Sequence, residues 1–393
     1  MGFEFSLADI GFLTSAAGVA ALSAVDGLAL TPASYLADVS AARALVGSSA
    51  PAVLETVLLR RKALSKLDWL GGLFTDDALQ QATHSRVAAL RAGRFAGRDV
   101  HDVTCSIGAD LVALARVARR CVGSDLDPVR LAMAGHNLAA AGVSAGLVRA
   151  DALAPVSRDA AVLADPARRD RAGRRRWRAA DLVPTLAELA AAYPGRDLAV
   201  SCAPGLDRDG VPWPDAEVEL VSLDGGVRES CVWVGSLASP GVRRRATVLR
   251  SNGTQWTVTD ADPDDCPVRP AGEWIVDPDG AVVRAGLVRH YAARHGLGQL
   301  DEHIAYLTGD SPPPGVRALR VLESGRYREA ALRTALARLD AGAVEILVRG
   351  LDVDPNTLRP RLGLRGTRAL SVVLTRIGHT PTAYLCEPPP VGG

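Results

Sequence analysis

Lysine is almost absent from this chain. Lys62 and Lys66 are the only two in 393 residues that carry 45 basic side chains, an arginine bias that reflects a GC-rich genome rather than a function. Paired cysteines are missing as well. Cys105, Cys121, Cys202, Cys231, Cys266 and Cys386 are scattered with no C-x-x-C spacing, which argues against a zinc site or a disulfide framework and suits a reducing cytosol. No metal site is therefore expected. The uncharged stretch from Ile10 to Val25 has Glu4 and Asp9 where a signal peptide carries basic residues, and Asp26 closes it short of a bilayer span. A cytoplasmic chain without a membrane segment is the expectation. Large net charge is lacking too: at +1, no whole-molecule field draws the protein to nucleic acid, and any basic surface is local. Internal repeats and long low-complexity segments are absent, and the 48% hydrophobic content is ample for two or three ordinary domains.

What is present changes character along the chain. Residues 1–95 show helical spacing, as in LETVLLRRKALSKLDWL, without β-branched runs; this predicts a helical N-terminal domain. From about residue 98, short apolar strands alternate with Ala-rich helices: DVHDVTC, ADLVALARVA, CVGSDL, PVRLAMAGHNLAAAG, GLVRAD, AAVLAD, a helix over ADLVPTLAELAAAY, and DLAVSC. That alternation calls for a parallel, doubly wound α/β sheet of Rossmann type. Residues 216–260 read as antiparallel strands between Gly-rich turns, so 96–310 is taken as a core with an antiparallel extension. After the Pro-rich joint SPPPG, residues 316–393 form a small α+β domain: strand, helix, strand, a short helix after Asp354-Pro355, and two more strands. The stretch EWIVDPDGAVVRAGL, 273–287, has no functional reading beyond a connection, lid or docking strand.

In a doubly wound sheet the ligand sits beyond the carboxyl ends of the strands. The first such loop, VHDVTCSIGADL, has one glycine, Gly108, and an acid, Asp102, at the strand end. It is poorly built for a pyrophosphate, which wants G-x-G-x-x-G and bare backbone; a ligand without phosphates and with positive charge fits better. Asp125 ends the second strand, where an acid accepts both hydroxyls of a ribose. Asp151 ends the third, placed to accept from an exocyclic amine, and Asp165 ends the fourth. One strand-end acid is readily a helix cap. Four in succession are hard to explain that way.

On these residues, roughly 75–205 resembles the class I S-adenosylmethionine-dependent methyltransferases: DVTCSIGADL is similar to their first motif, GSDLDPVRLAMAGHNLAAAG to the second-strand acid and its helix with Asn137, and LADPAR to the catalytic fourth motif. The resemblance implies that Ser106, Ile107 and Gly108 wrap the methionine part of S-adenosylmethionine, that Asp125 holds the ribose, and that Asp151 reads the adenine. Ser106 departs from the family, which has glycine there. Upstream, LQQATHSRVAALRA resembles the segment by which several RNA and DNA methyltransferases reach over the methionine carboxylate, implying roles for Gln81 and Thr83; Thr83 is equally well read as a helix cap.

The fourth motif of nitrogen methyltransferases is Asp/Asn-Pro-Pro-aromatic, and here Ala167 and Arg168 replace the last two. Asp165, Pro166 and Arg168 are the catalytic candidates, with Asp165 as acceptor for a base amine and Arg168 offering a guanidinium that stacks or pairs with phosphate. DPAR also occurs in RNA uridine-5 methyltransferases, which use a nucleophilic cysteine after the next strand; Cys202 in VSCAPG stands there, but Ala203 replaces the Asn of that motif. Directly after Asp165-Pro166 come seven arginines in eleven residues. Arg168, Arg169, Arg174, Arg175 and Arg176 beside the catalytic turn suit a phosphate backbone, and Trp177 offers a stacking face; a solvated charged loop is the bland alternative. The carboxy-terminal stretch AVEILVRGLDVDPNTLRPRLGLRGTRALSVVLTRI resembles the THUMP-like domain of certain methyltransferases. THUMP domains proper bind RNA, which implies a substrate-presenting role, with Arg361 and Arg365 as contacts. The expectation is a cytoplasmic RNA methyltransferase acting on a base nitrogen of a tRNA or rRNA. A non-catalytic RNA-binding protein with a relic cofactor fold, a Cys202-dependent pyrimidine-C5 enzyme and a small-molecule methyltransferase stay open beside it.

Overall fold

Serine opens the first two helices. In the computed structural model, which describes residues 3–167, 182–314 and 316–388, Ser6 and Asp9 form a reciprocal capping box at α1 (Leu7–Leu13) and Ser15 caps α2 (Ala16–Asp26). The helical region continues through α3 (Tyr35–Val46), α4 (Ala50–Ala63), α5 (Asp76–Gln81) and α6 (Ser85–Gly93). Run together, α3 and α4 are long and apolar enough to cross a bilayer. They break at a 3-10 turn over Gly47–Ser49, and α4 buries Val53, Leu54, Val57 and Leu59 against the rest of the chain.

The chain divides into two compact units, Met1–Val218 with Glu229–Pro240, and Glu219–Arg228 with Gly241–Gly393. In the first, β1 (Asp99–Asp102), α7 (Ala109–Ala115), β2 (Arg120–Asp125), α8 (Pro128–Ala140), β3 (Gly146–Arg149), β4 (Ala161–Ala164), α9 (Leu186–Ala192) and β5 (Leu198–Cys202) build a parallel sheet ordered β3-β2-β1-β4-β5. Strand order reverses between β1 and β4, which opens a crevice at their carboxyl ends. Gly123 on β2 is required by packing, since a Cβ there would lie 2.5 Å from Leu111 Cδ2 of α7. The helix expected over ADLVPTLAELAAAY is shorter than its spacing suggests, and its first two residues lie outside the described ones. Pro184 disfavours helix at Val183, which instead pairs with Ala167 across a two-residue bridge; Thr185 then opens α9 with a capping box to Glu188.

The unit boundary passes through β6 (Glu217–Leu223) and β7 (Gly226–Val234). Within the first unit the latter half of β7 runs antiparallel to β5, from Leu198 opposite Val234 to Cys202 opposite Ser230. The second unit holds the hairpin of β8 (Arg244–Leu249) and β9 (Gln255–Thr259), followed by β10 (Trp274–Val276), α10 (Gly280–Arg284), α11 (Val288–Arg294), β11 (Gly298–Asp301) and β12 (Ile304–Gly309). It ends with β13 (Ala318–Arg326), α12 (Glu329–Arg338), β14 (Ala341–Arg349), α13 (Pro355–Arg361), β15 (Arg368–Ile377) and β16 (Thr380–Cys386). A seven-stranded sheet, β11-β12-β10-β13-β16-β15-β14, joins these strands. The segment 273–287 therefore has a structural role: Ile275 of β10 pairs with Thr308 on one side and Leu319 on the other, and is wholly buried with Leu300, Tyr306 and Val373.

Candidate active site at the strand ends

A cavity of about 430 Å³ opens at the carboxyl ends of β1, β2 and β4, against the end of α5 and the turn before α9, within the size range of small-molecule and cofactor sites. Its wall holds six acids: Asp102, Asp110, Asp125, Asp151, Asp165 and Glu188. Among the described residues of the wall, Arg130 is the sole cation.

The loop after β1 is tied down by backbone donors. Val103 N–H donates to Leu163 O (2.9 Å) and Cys105 N–H to Ser124 O (2.9 Å), which fix it to β4 and β2. Ser106 N–H donates to Asp125 Oδ2 (3.0 Å) and Asp127 N–H to Oδ1 (2.8 Å), so the Asp125 carboxylate is held rigidly at the mouth of β2. Asp165 N–H donates to Thr104 Oγ1 (2.7 Å), locking the two strand ends that flank the switch point together. Buried Asn137 completes the frame: its Nδ2 donates to Ile107 O and Leu73 O, and its Oδ1 accepts from Leu73 N–H. Gly108 has φ +82° and begins α7, and a Cβ would come 3.3 Å from that of Ala134, so glycine is needed there. Ser106 adopts φ +47°, a left-handed conformation that costs a non-glycine residue about 1–2 kcal/mol. Ser106→Gly is accordingly expected to stabilise the protein by about 0.5–1 kcal/mol once glycine's extra unfolded-state freedom is subtracted. A rise of roughly 1–3 °C in Tm checks it; no rise would mean the Arg130 Nη1 contact to Ser106 Oγ, 3.5 Å, offsets the strain.

Behind the wall lies a buried ion cluster. Arg91 of α6, 2% exposed, donates through Nη1 to Asp110 Oδ1 (2.9 Å) and through Nη2 to Glu229 of β7. Burial above all, opposed by Arg91 and aided by Asp110 and Asp165, pushes the Glu229 carboxyl up to about 7. Burial also holds Asp102 well above the usual carboxylate range, helped by Asp110 and Asp165; Thr104 N–H, 3.2 Å away, and Arg91 work the other way. Among the described residues one guanidinium, Arg91, faces several carboxylates here, an acceptor set that matches a cationic ligand and repels a phosphate.

Of the residues singled out in the sequence, Gln81, Asp102, Ser106, Asp125, Asp151 and Asp165 line this one cavity. Gly108 stands at the start of α7, and Pro166 is buried beside Asp165. Thr83 is not in the lining, but its hydroxyl donates to Asp110 Oδ2 (3.0 Å), which is, while His84 caps α6. Cys202 is wholly buried on β5, its thiol toward Val200 O, and is not part of the wall. Arg168, Arg169, Arg174, Arg175, Arg176 and Trp177 lie outside the described residues. In the second unit Arg361 pairs with Glu329 (3.1 Å) and Arg365 is exposed. Sequence reading missed Asp110, Arg91 and Glu229. The first carries a faint signal, two residues after Gly108 in the opening turn of α7, but nothing local marks an arginine in LRAGR or a glutamate in RESC as partners.

A parallel β3-β2-β1-β4-β5 sheet closed by an antiparallel strand, with a glycine-poor, acid-lined crevice at its switch point, defines a Rossmann-like methyltransferase core. The chain is 57% identical over 360 residues to an uncharacterised S-adenosylmethionine-dependent methyltransferase of Mycobacterium tuberculosis, found in strains CDC 1551 and H37Rv, with 88% of this chain and 99% of the relative covered. It belongs to that family of S-adenosylmethionine-dependent methyltransferases, and S-adenosylmethionine is its cofactor. The crystal structure of a protein from Porphyromonas gingivalis W83 named as a methyltransferase has the same fold, with a TM-score of 0.72 at 17% identity, covering 98% of this chain and all of the other. Residues 316–388 match a THUMP domain-like family, and residues 6–63 match a domain of unknown function.

Proposed function

We propose that the cavity is the cofactor site and that the enzyme methylates a base nitrogen in a structured RNA, a tRNA or rRNA in the cytoplasm. When bound, S-adenosylmethionine supplies an electrophilic methyl group on a sulfonium and is left as a neutral thioether. In this reading Asp125 accepts from the ribose hydroxyls, and Asp151 accepts from the adenine amine. Ser106 to Gly108 wrap the methionine end together with Gln81, with Asp102 and Asp110 facing its positive charge. The observation that carries the target assignment is Asp165: it lines the same cavity, and its backbone is locked to Thr104, so its carboxylate is presented from a rigid strand end. There it would accept a hydrogen bond from an amino group and orient the nitrogen lone pair for in-line attack, and the proton the methylated nitrogen sheds would pass to this carboxylate or to water, so catalysis comes mainly from positioning. Pro166 fixes the turn that follows. Arg168, Arg169, Arg174, Arg175, Arg176 and Trp177 follow that turn in sequence and supply phosphate and stacking contacts, and Arg361 and Arg365 of the THUMP-like domain help present the RNA. The match over 316–388 supports RNA over a metabolite.

The test is transfer of tritiated methyl from S-adenosylmethionine to total RNA from cells lacking the protein. Label is expected in RNA, retained with Cys202→Ala and falling with added salt as phosphate contacts are screened. Label in metabolite or protein fractions alone would overturn the RNA assignment, and loss in Cys202→Ala would move the chemistry to a ring carbon.

A further inference from the structure

We infer that Arg130 receives the carboxylate at the methionine end of the cofactor and so makes the cavity selective for adenosyl ligands that carry one. This rests on the reading of the cavity as the cofactor site. S-adenosylmethionine bears two positive charges, sulfonium and ammonium, and one negative charge, the carboxylate. Six acids in the wall suit the first two and repel the third, and a partly dehydrated charge responds strongly to the sign of its neighbours. Arg130 is the one cation that the described wall offers it.

The geometry leaves the donors of this guanidinium underused. Arg130 stands in the first turn of α8, its side chain 32% exposed, and each of its polar contacts is long. Nη1 lies 3.5 Å from Ser106 Oγ, Nη2 3.5 Å from Asp77 Oδ2 and Nε 3.7 Å from Asp127 Oδ2, whereas a charge-assisted hydrogen bond to a carboxylate closes to about 2.7–2.9 Å. Both carboxylates have other duties through their second oxygen. Asp127 Oδ1 accepts from Val129 N–H (2.8 Å) and Arg130 N–H (3.3 Å) to cap α8, and Asp77 Oδ1 accepts from Gln81 Nε2 (2.8 Å). Each is also half exposed, so water screens its hold on the guanidinium. These contacts nonetheless place the group. Ser106 on one side, and Asp77 with its partner Gln81 on the other, bring Arg130 to the part of the rim where Ser106 and Gln81 line the cavity. That is the end assigned to methionine, and a planar fork of donors matches a carboxylate there in a way that a point charge does not.

Calorimetric titration of the full chain tests this with four probes. S-adenosylmethionine and S-adenosylhomocysteine carry the carboxylate; decarboxylated S-adenosylmethionine keeps the sulfonium and the ammonium without it, and 5′-methylthioadenosine has no amino-acid end at all. Arg130→Met is expected to weaken the two carboxylate-bearing ligands by about tenfold, the scale of one hydrogen bond between charged groups, and to change the other two by less than about twofold. The wild type is expected to prefer the cofactor over its decarboxylated form, and the variant to lose about tenfold of that preference. Arg130→Lys, which keeps the charge but not the fork, is expected to fall between. Equal weakening of all four ligands by Arg130→Met would mean that the residue merely props the Ser106 loop, and unchanged affinity for all four that the carboxylate is held elsewhere; either overturns the inference. If the variant does not fold, the wild-type comparison decides: equal affinity for the cofactor and its decarboxylated form overturns the inference, and a preference of about tenfold supports it. Failure of S-adenosylmethionine and S-adenosylhomocysteine to bind the wild type would instead overturn the cofactor-site reading.

Discussion

Asp165→Ala is expected to lower methyl transfer by about 10²- to 10³-fold while cofactor affinity stays within a few-fold, the loss typical when one preorganised polar contact to the reacting group is removed. The reason lies in how the residue is held. Its N–H donates to Thr104 Oγ1 at 2.7 Å, a contact the substitution leaves intact. Asp165→Asn keeps one acceptor oxygen, and an intermediate loss of about tenfold follows if the carboxylate works mainly by orienting the amine. Single-turnover rates with enzyme in excess separate this from binding, because a fall in the chemical step with unchanged cofactor Kd is the signature of a contact to the target. A full rate in Asp165→Ala would remove the residue from the mechanism.

Much of this arrangement was legible in the sequence because both its signals are local. Alternating strands and helices announced the sheet, and each strand-end acid stands at a fixed offset from an apolar run, so Asp102, Asp125, Asp151 and Asp165 were found by counting. Gly108 was read from the same loop and Ser106 from the family resemblance, although only the structure shows that both adopt positive φ. Illegible were features that depend on which strand lies beside which. Arg91 and Glu229 are separated by 138 residues and meet because β7 returns antiparallel to β5, a pairing no motif encodes. The partner of Thr83 was hidden for the same reason: its hydroxyl donates to Asp110 on α7, and His84 caps the helix that follows. The shortness of α9 was legible in principle, since Val183-Pro184-Thr185 contains both the helix breaker and the cap.

Arg91→Met is expected to produce the largest stability loss in the first unit, about 3–5 kcal/mol near pH 8, because it leaves buried carboxylates without their counter-charge. The loss is expected to shrink on acidification. In the wild type the Glu229 carboxyl is raised from its ordinary 4.5 to about 7; stability from such a group is fully present below the lower value and lost as pH climbs through the upper one. Removing Arg91 takes away an influence that lowers both Glu229 and Asp102, so the same decline becomes steeper and extends to higher pH. Urea unfolding at pH values on either side of 7 therefore reads a larger deficit on the alkaline side. Adding Glu229→Gln to Arg91→Met is expected to restore part of the stability, since replacing both partners of a buried ion pair by neutral side chains is far less costly than orphaning one. Equal deficits at both pH values, with no recovery in the double variant, would mean that Arg91 acts through packing of its stem rather than through charge, and the electrostatic account of the cavity floor would fall with it.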